Sequence, residues 1–169
     1  MSKPRKVLLA MDGSSHSEFA FEWYMSNLMR PNDQLLIVCA MERHDGLTNA
    51  LGSADVQSLC TLLEEEADEH KRLVEVLTKK LESTGLKGMV KTQLGKAGEV
   101  VIKHANEEHV DHIICGSRGH GKMRRTLMGS HSDYILHHAH VPVTVCRHPK
   151  HLHLETVAGS LHSLDKVDG

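Results

Sequence analysis

Hydrophobic positions along the chain fall into two patterns. Val7–Met11 and Leu35–Met41 are short continuous runs. The first is closed by Asp12-Gly13-Ser14-Ser15, the second by a polar, glycine-containing stretch from Glu42 to Ser53. Apolar runs of this length without alternation predict strands covered on both faces, as in a parallel sheet. Met89–Leu94 and His112–Cys115 read as further strands, the latter ending at Gly116. Val141–Arg147 is the last, with Pro142 tolerated at a strand's beginning or on an edge.

The second pattern is periodic. Val56, Leu59, Cys60, Leu63, Ala67, His70, Val74, Leu77 and Leu81 advance mostly by threes and fours, while Glu64, Glu65, Glu69, Lys71, Lys79 and Lys80 fill the other faces. That spacing predicts a surface helix with one apolar stripe, and Gly85 suits its C-terminal cap. An earlier helix takes its inner face from Ala20, Trp23, Asn27 and Leu28, with Ser17 or a neighbouring serine as its cap. Arg30-Pro31-Asn32-Asp33 stops it. Two shorter helices are expected over Glu99–Glu108 and Ser130–His138.

The resulting order, β-α-β-α-β-α-β-α-β, predicts an α/β domain. Its sheet is five-stranded, parallel and doubly wound (Rossmann-like), with helices on both faces and right-handed crossovers. The domain is expected over residues 1–149. Beyond it, Leu154, Val157, Leu161 and Leu164 fit one face of a short amphipathic helix. Gly159 weakens that reading, and a disordered tail over 150–169 is the alternative.

Composition narrows the function. A length of 169 residues suits one domain. A net charge of −2 supplies no basic excess for a nucleic-acid backbone, so nucleic acid is not an expected partner. The apolar runs are too short to cross a bilayer, and the N-terminus lacks the long apolar region of a signal peptide. A cytoplasmic protein without a membrane partner is therefore expected. Cys39, Cys60, Cys115 and Cys146 form no CxxC pair and read as buried, reduced thiols. Fifteen histidines would reverse the sign of the net charge if protonated, so solubility or self-association is expected to change toward pH 6. His137, His138 and His140 carry no accompanying cysteine–histidine zinc spacing, and no specific metal site is expected.

In doubly wound sheets ligands sit beyond the carboxyl ends of the strands, where strand order reverses. The loops after Met11 and after Cys115 are therefore the ones to search. The second runs Gly116-Ser-Arg-Gly119-His-Gly121-Lys and on to Gly129-Ser130-His-Ser132. Glycines let backbone N–H groups approach an anion, and a helix starting near Gly129 or Ser130 adds unpaired donors and a positive dipole end. Phosphate fits there. Ser130 and Ser132 can add hydroxyl donors, and Arg118, Lys122, Arg124 and Arg125 add positive charge. A plain surface turn with a serine cap is the simpler alternative.

Gly116-x2-Gly119-x9-Gly129-Ser130 matches the G-x2-G-x9-G-[S/T] signature of ATP-binding universal stress proteins. The chain resembles that family, in its small single-domain form, from about Lys6 to Arg147, including Asp12 after the first strand and Pro142 entering the last. The resemblance implies an adenine nucleotide, ATP or a relative, with magnesium held mostly by phosphate oxygens. It implies that Ala10, Met11 and Asp12 face adenine and ribose, that Ala40 touches adenine, and that Gly116 lies near ribose. Gly119, Gly121, Gly129, Ser130, His131 and Ser132 would surround the phosphates, with Ser117, Arg118, His120 and Lys122 in the same loop. His131 departs from the small aliphatic residue usual there, and it can narrow the site or add a phosphate contact. Asp12 accepts from ribose or adenine on this reading, or else caps the first helix or ends the strand.

The resemblance also implies a stress-response sensor or regulator that pairs as a homodimer through the last strand, Val143 to Cys146. No catalytic triad, HExxH or Walker loop is present, and no catalytic residue is assigned. At most a weak ATPase is expected. A slow ATP hydrolase and a nucleotide-independent interaction protein remain the alternatives, with a dinucleotide-dependent dehydrogenase a poor fourth, since its glycine fingerprint belongs after a first strand.

Overall fold

A computed structural model describes residues 3–42, 56–118 and 128–149. The elements in chain order are β1 (Lys6–Ala10), α1 (Ser15–Asn27), β2 (Gln34–Met41), α2 (Val56–Ser83), β3 (Lys87–Leu94), α3 (Ala97–Glu107), β4 (His112–Gly116), α4 (Ser130–His138) and β5 (Val143–Cys146). The strands form one parallel sheet in the order β3-β2-β1-β4-β5. The predicted α/β class and doubly wound parallel sheet are what the chain adopts. The proposed tail over 150–169 lies outside the described residues.

Strand faces sort the core into two layers, because successive side chains point to opposite sides of a sheet. Val7, Leu9, Leu35, Ile37 and Ile114 face Ala20, Phe21 and Tyr24 of α1 and Leu77 and Leu81 of α2. Leu8, Leu36, Val38, Ile113 and Cys115 face Val100, Val101 and Ala105 of α3 and Ile135 of α4. Helices therefore cover both faces. β1 is flanked by β2 and β4, and its central residues Val7, Leu8 and Leu9 are buried from every side. That explains why its sequence is a continuous apolar run.

Helix ends follow the local chemistry. Ser14 caps α1, its Oγ accepting from the Ser17 N–H at 3.3 Å. Beyond α2, Gly85 has φ +69°, the left-handed region that ends helices cheaply only at glycine.

Two helix faces differ from expectation. The buried residues of α1 are His16, Ser17, Ala20, Phe21 and Tyr24. Asn27 is exposed and its Nδ2 donates to the Trp23 carbonyl, while Trp23 and Leu28 are half-buried against the core. The predicted stripe was rotated by about one residue, because the helix starts at Ser15 and must place Tyr24 over Asp33. In α2 only the C-terminal half packs: Leu77 and Leu81 are buried, whereas Cys60, Leu63 and Ala67 are exposed. The side chains of Val56 and Leu59 lie outside the described residues. Cys39, Cys115 and Cys146 are buried free thiols, as expected, and Cys60 is not buried.

A polar network closes the amino ends of the strands. Arg5 grips Asp33 with two bonds, Nε to Oδ1 at 3.0 Å and Nη2 to Oδ2 at 2.6 Å. Tyr24 Oη donates to Oδ2 at 2.8 Å, and the Arg30 N–H donates there at 3.0 Å. Burial pushes the Asp33 carboxyl up, but the bonds from Arg5, Tyr24 and the Arg30 backbone outweigh it and hold it below its ordinary range. This network ties the entries to β1 and β2 to helix α1.

Candidate functional site

Chain direction after β1 turns to β2 on one side, while β4 lies on the other. The switch point between β1 and β4 leaves a gap that no crossover fills. A cavity of about 490 Å3 opens there, on the α3/α4 side of the sheet. That size is usual for a small-molecule site.

The cavity has an apolar part and a polar part. Ala10 and Met11 come from the end of β1, Val38 and Ala40 from β2, Val101 from α3, Cys115 from β4 and Ile135 from α4. Val38 and Ala40 lie two positions apart, so they share one sheet face. The alanines leave the space that larger side chains would occupy. Burial pushes the Cys115 thiol up to about 12, so it is a protonated, apolar wall.

Arg118, Gly129, Ser130, His131, Ser132 and Asp133 supply the polar part. Helix α4 starts there without a side-chain cap on its first turn. Its first intrahelical bond runs from the Asp133 N–H to the Gly129 carbonyl at 3.0 Å. The N–H groups of Ser130, His131 and Ser132 therefore have no acceptor within the helix, and the positive dipole end faces the cavity.

Ser117 fixes this helix start in place. Its carbonyl accepts from the Gly129 N–H at 2.8 Å and from Ser132 Oγ at 3.2 Å, and its own N–H donates to the Cys146 carbonyl at 2.8 Å. Ser117 is buried beneath the cavity wall rather than lining it. The Ser132 hydroxyl is likewise turned inward, onto the Ser117 and Gly129 carbonyls. Gly116 lines the cavity and also allows close packing, since a Cβ there would sit 2.8 Å from the His16 backbone.

Asp12 lines the cavity, and its Oδ1 accepts from the Ser14 N–H at 2.9 Å, closing the turn into α1. Of the residues singled out from sequence, Ala10, Met11, Asp12, Ala40, Gly116, Arg118, Gly129, Ser130, His131 and Ser132 meet around this one cavity. Gly119, His120, Gly121 and Lys122 lie outside the described residues. Ser17, Val38, Ala97, Val101, Met128, Asp133 and Ile135 also line it and were not singled out. Val38 was legible from its two-residue offset to Ala40, and Val101 and Ile135 from the faces their helices turn to the sheet. Ala97 was hidden, because its helix begins two residues earlier than expected.

One further residue matters at the rim. Glu42, just past β2, accepts at Oε1 from the Ala97 N–H at 2.8 Å and so caps α3 from a distance. His131 Nε2 lies 3.1 Å from the same oxygen.

The model of the universal stress protein family matches residues 3–147, nearly the whole described chain. This chain belongs to the universal stress protein family. Universal stress protein MJ0577 of Methanocaldococcus jannaschii is 27% identical over 153 residues, covering 85% of this chain and 94% of its own. A universal stress protein A-like protein of Arabidopsis thaliana is 23% identical, covering 84% of this chain and 89% of its own. Some relatives are much longer: this chain spans 45% of universal stress protein A family protein C25B2.10 of Schizosaccharomyces pombe. Among solved structures, that of MJ0577 superposes with a TM-score of 0.71 at 23% identity, over 85% of this chain and 96% of that one. An Arabidopsis thaliana family protein solved with AMP bound gives 0.60 at 18%, over 85% and 92%. A universal stress protein in complex with cAMP gives 0.60 at 16%, over 86% and 98%. Likeness at such identity establishes the shared universal stress protein fold. Among the described residues no helix is long and apolar enough to cross a membrane.

Proposed function

We propose that residues 1–149 form an adenine-nucleotide-binding domain, with ATP as the leading ligand, and that the protein serves as a nucleotide-dependent sensor or regulator in a stress response. The observation that carries this reading is the joining, in one cavity at the switch point, of an apolar slot and an uncapped helix start. A purine fits between Ala10, Ala40 and Val101, and phosphate fits at the amides of Ser130 to Ser132. The AMP and cAMP carried by two structural neighbours support the adenine class. Asp12 stands near the ribose position, with one carboxylate oxygen already serving the turn. Magnesium, arriving with ATP, would find hard oxygen donors in the phosphates and in the Asp12 and Asp133 carboxylates, which suits that ion.

Pairing through β5 is part of the proposal. β5 lies at one edge of the sheet, hydrogen-bonded within it to β4 alone, and an exposed edge is a ready template for a second copy. Nucleotide would influence such a pairing only by binding one state more tightly than the other.

Calorimetric titration of the nucleotide-stripped protein tests the reading. Saturation near one ATP per chain is expected, with loss of binding in Ala40→Phe, which fills the slot, at an unchanged fold by circular dichroism. No heat at several temperatures from folded wild-type protein would overturn it. Nucleoside diphosphate accumulating during the titration would point instead to a slow hydrolase.

A further inference from the structure

We propose that Glu42 and His131 form a charge filter at the rim of the cavity, which sets how strongly the site prefers nucleotides by the number of phosphate charges. This inference rests on the nucleotide-binding reading above and adds a specificity device to it.

The geometry is specific. Glu42 and His131 are 89 positions apart in sequence, yet one carboxylate oxygen holds both the Ala97 N–H, at 2.8 Å, and His131 Nε2, at 3.1 Å. Ala97, Ser130 and His131 all line the cavity. The carboxylate therefore stands between two helix starts. It accepts from the first N–H of α3, while the start of α4 has no side-chain cap. Any anion that reaches the α4 amides arrives beside an imidazole already engaged by a fixed negative charge.

The pair is neutral when the imidazole carries both protons and singly negative when it carries one. In either state the Glu42 carboxylate repels incoming phosphate, and each added phosphate charge multiplies that repulsion. It also occupies His131, which would otherwise be free to donate to phosphate. Both side chains are about half exposed, so water and salt moderate the effect and make it tunable by ionic strength. Arg118, Asp12 and Asp133 line the same cavity, so Glu42 is one charge among several. Its distinguishing property is the direct contact with a residue of the α4 first turn.

Glu42→Gln removes the charge while keeping an oxygen to accept from Ala97. Adenosine, AMP and ATP are titrated into wild type and this variant, without divalent cation, at low and high salt. The filter predicts no change for adenosine, about two-fold tighter AMP, and about three-fold to ten-fold tighter ATP, with the gain shrinking at high salt. His131→Val, which breaks the contact from the other side and leaves the Glu42 bond to Ala97, is expected to change the ratio of ATP to adenosine affinity. An equal change for all three ligands in both variants, or none, overturns the filter while leaving nucleotide binding standing. Failure of all three ligands to bind wild type overturns the nucleotide reading and the filter with it.

Discussion

Asp33 shows how one side chain can hold an end of the molecule. Its carboxylate is 1% exposed and receives bonds from the Arg5 guanidinium, the Tyr24 hydroxyl and the Arg30 backbone. Tyr24→Phe removes one donor to a buried charge and is expected to cost about 1.5–3 kcal/mol in urea unfolding. Asp33→Ala strands Arg5 and Tyr24 together and should cost about 3–5 kcal/mol. The acid side follows from the same bonds. Asp33 titrates lower in the fold than in the unfolded chain, so the unfolded state holds its proton more tightly. The stabilisation is complete above the unfolded carboxylate range near pH ~4 and is lost as pH falls through the lower folded value. His104 acts in a different window. It is 8% exposed, and neither ring nitrogen has a hydrogen-bond partner, although Glu107 Oε2 lies 3.4 Å from Nδ1. Burial outweighs the pull of that half-exposed carboxylate and holds His104 below its ordinary range. Here the unfolded chain gains the proton first, so stability declines as pH drops below about 6.5. Melting temperatures at pH 7.5 and 5.5 should fall further for wild type than for His104→Leu; an equal fall would contradict this.

At the scale of elements, α2 separates what periodicity shows from what packing decides. Its stripe is regular from end to end, yet Leu77 is 0% exposed and Leu63 is 44% exposed. Leu77→Ala is expected to cost about 2–5 kcal/mol, whereas Leu63→Ala should stay within about 0.5 kcal/mol, both by denaturant unfolding. The strands were the most legible part of the chain. The continuous apolar runs of β1 and β2 reflect burial on both faces, whereas the edge strand β3 is largely exposed and its sequence is mixed. The loop from Gly116 to Gly129 was legible from its glycine spacing, and the structure adds that Gly116 clears the His16 backbone and that Gly129 opens α4. Helix faces were harder. The inner face of α1 depends on where Tyr24 meets Asp33, and the reach of α2 depends on how much sheet lies beneath it. Glu42 was hidden for the same reason: its partners, Ala97 and His131, are distant in sequence and meet only through the fold.

For the whole molecule, two ends of one sheet have opposite characters. The amino end is locked by the Arg5–Asp33–Tyr24 network, and the carboxyl end opens at the switch point into a cavity with an apolar slot and a helix start. The amino-end network joins the entries to β1 and β2 and helix α1, while the cavity is built from residues at the other ends of β1, β2 and β4. The central claim is that adenine nucleotide occupies this cavity. Amide chemical shifts of isotope-labelled protein, followed by NMR during an ATP titration, test it most directly. The account predicts saturable shifts at Ala10, Met11, Ala40, Gly129, Ser130, His131 and Ser132, with the amides of Tyr24 and Asp33 unmoved. Shifts confined to other parts of the surface, or no shifts at millimolar ATP, would contradict it.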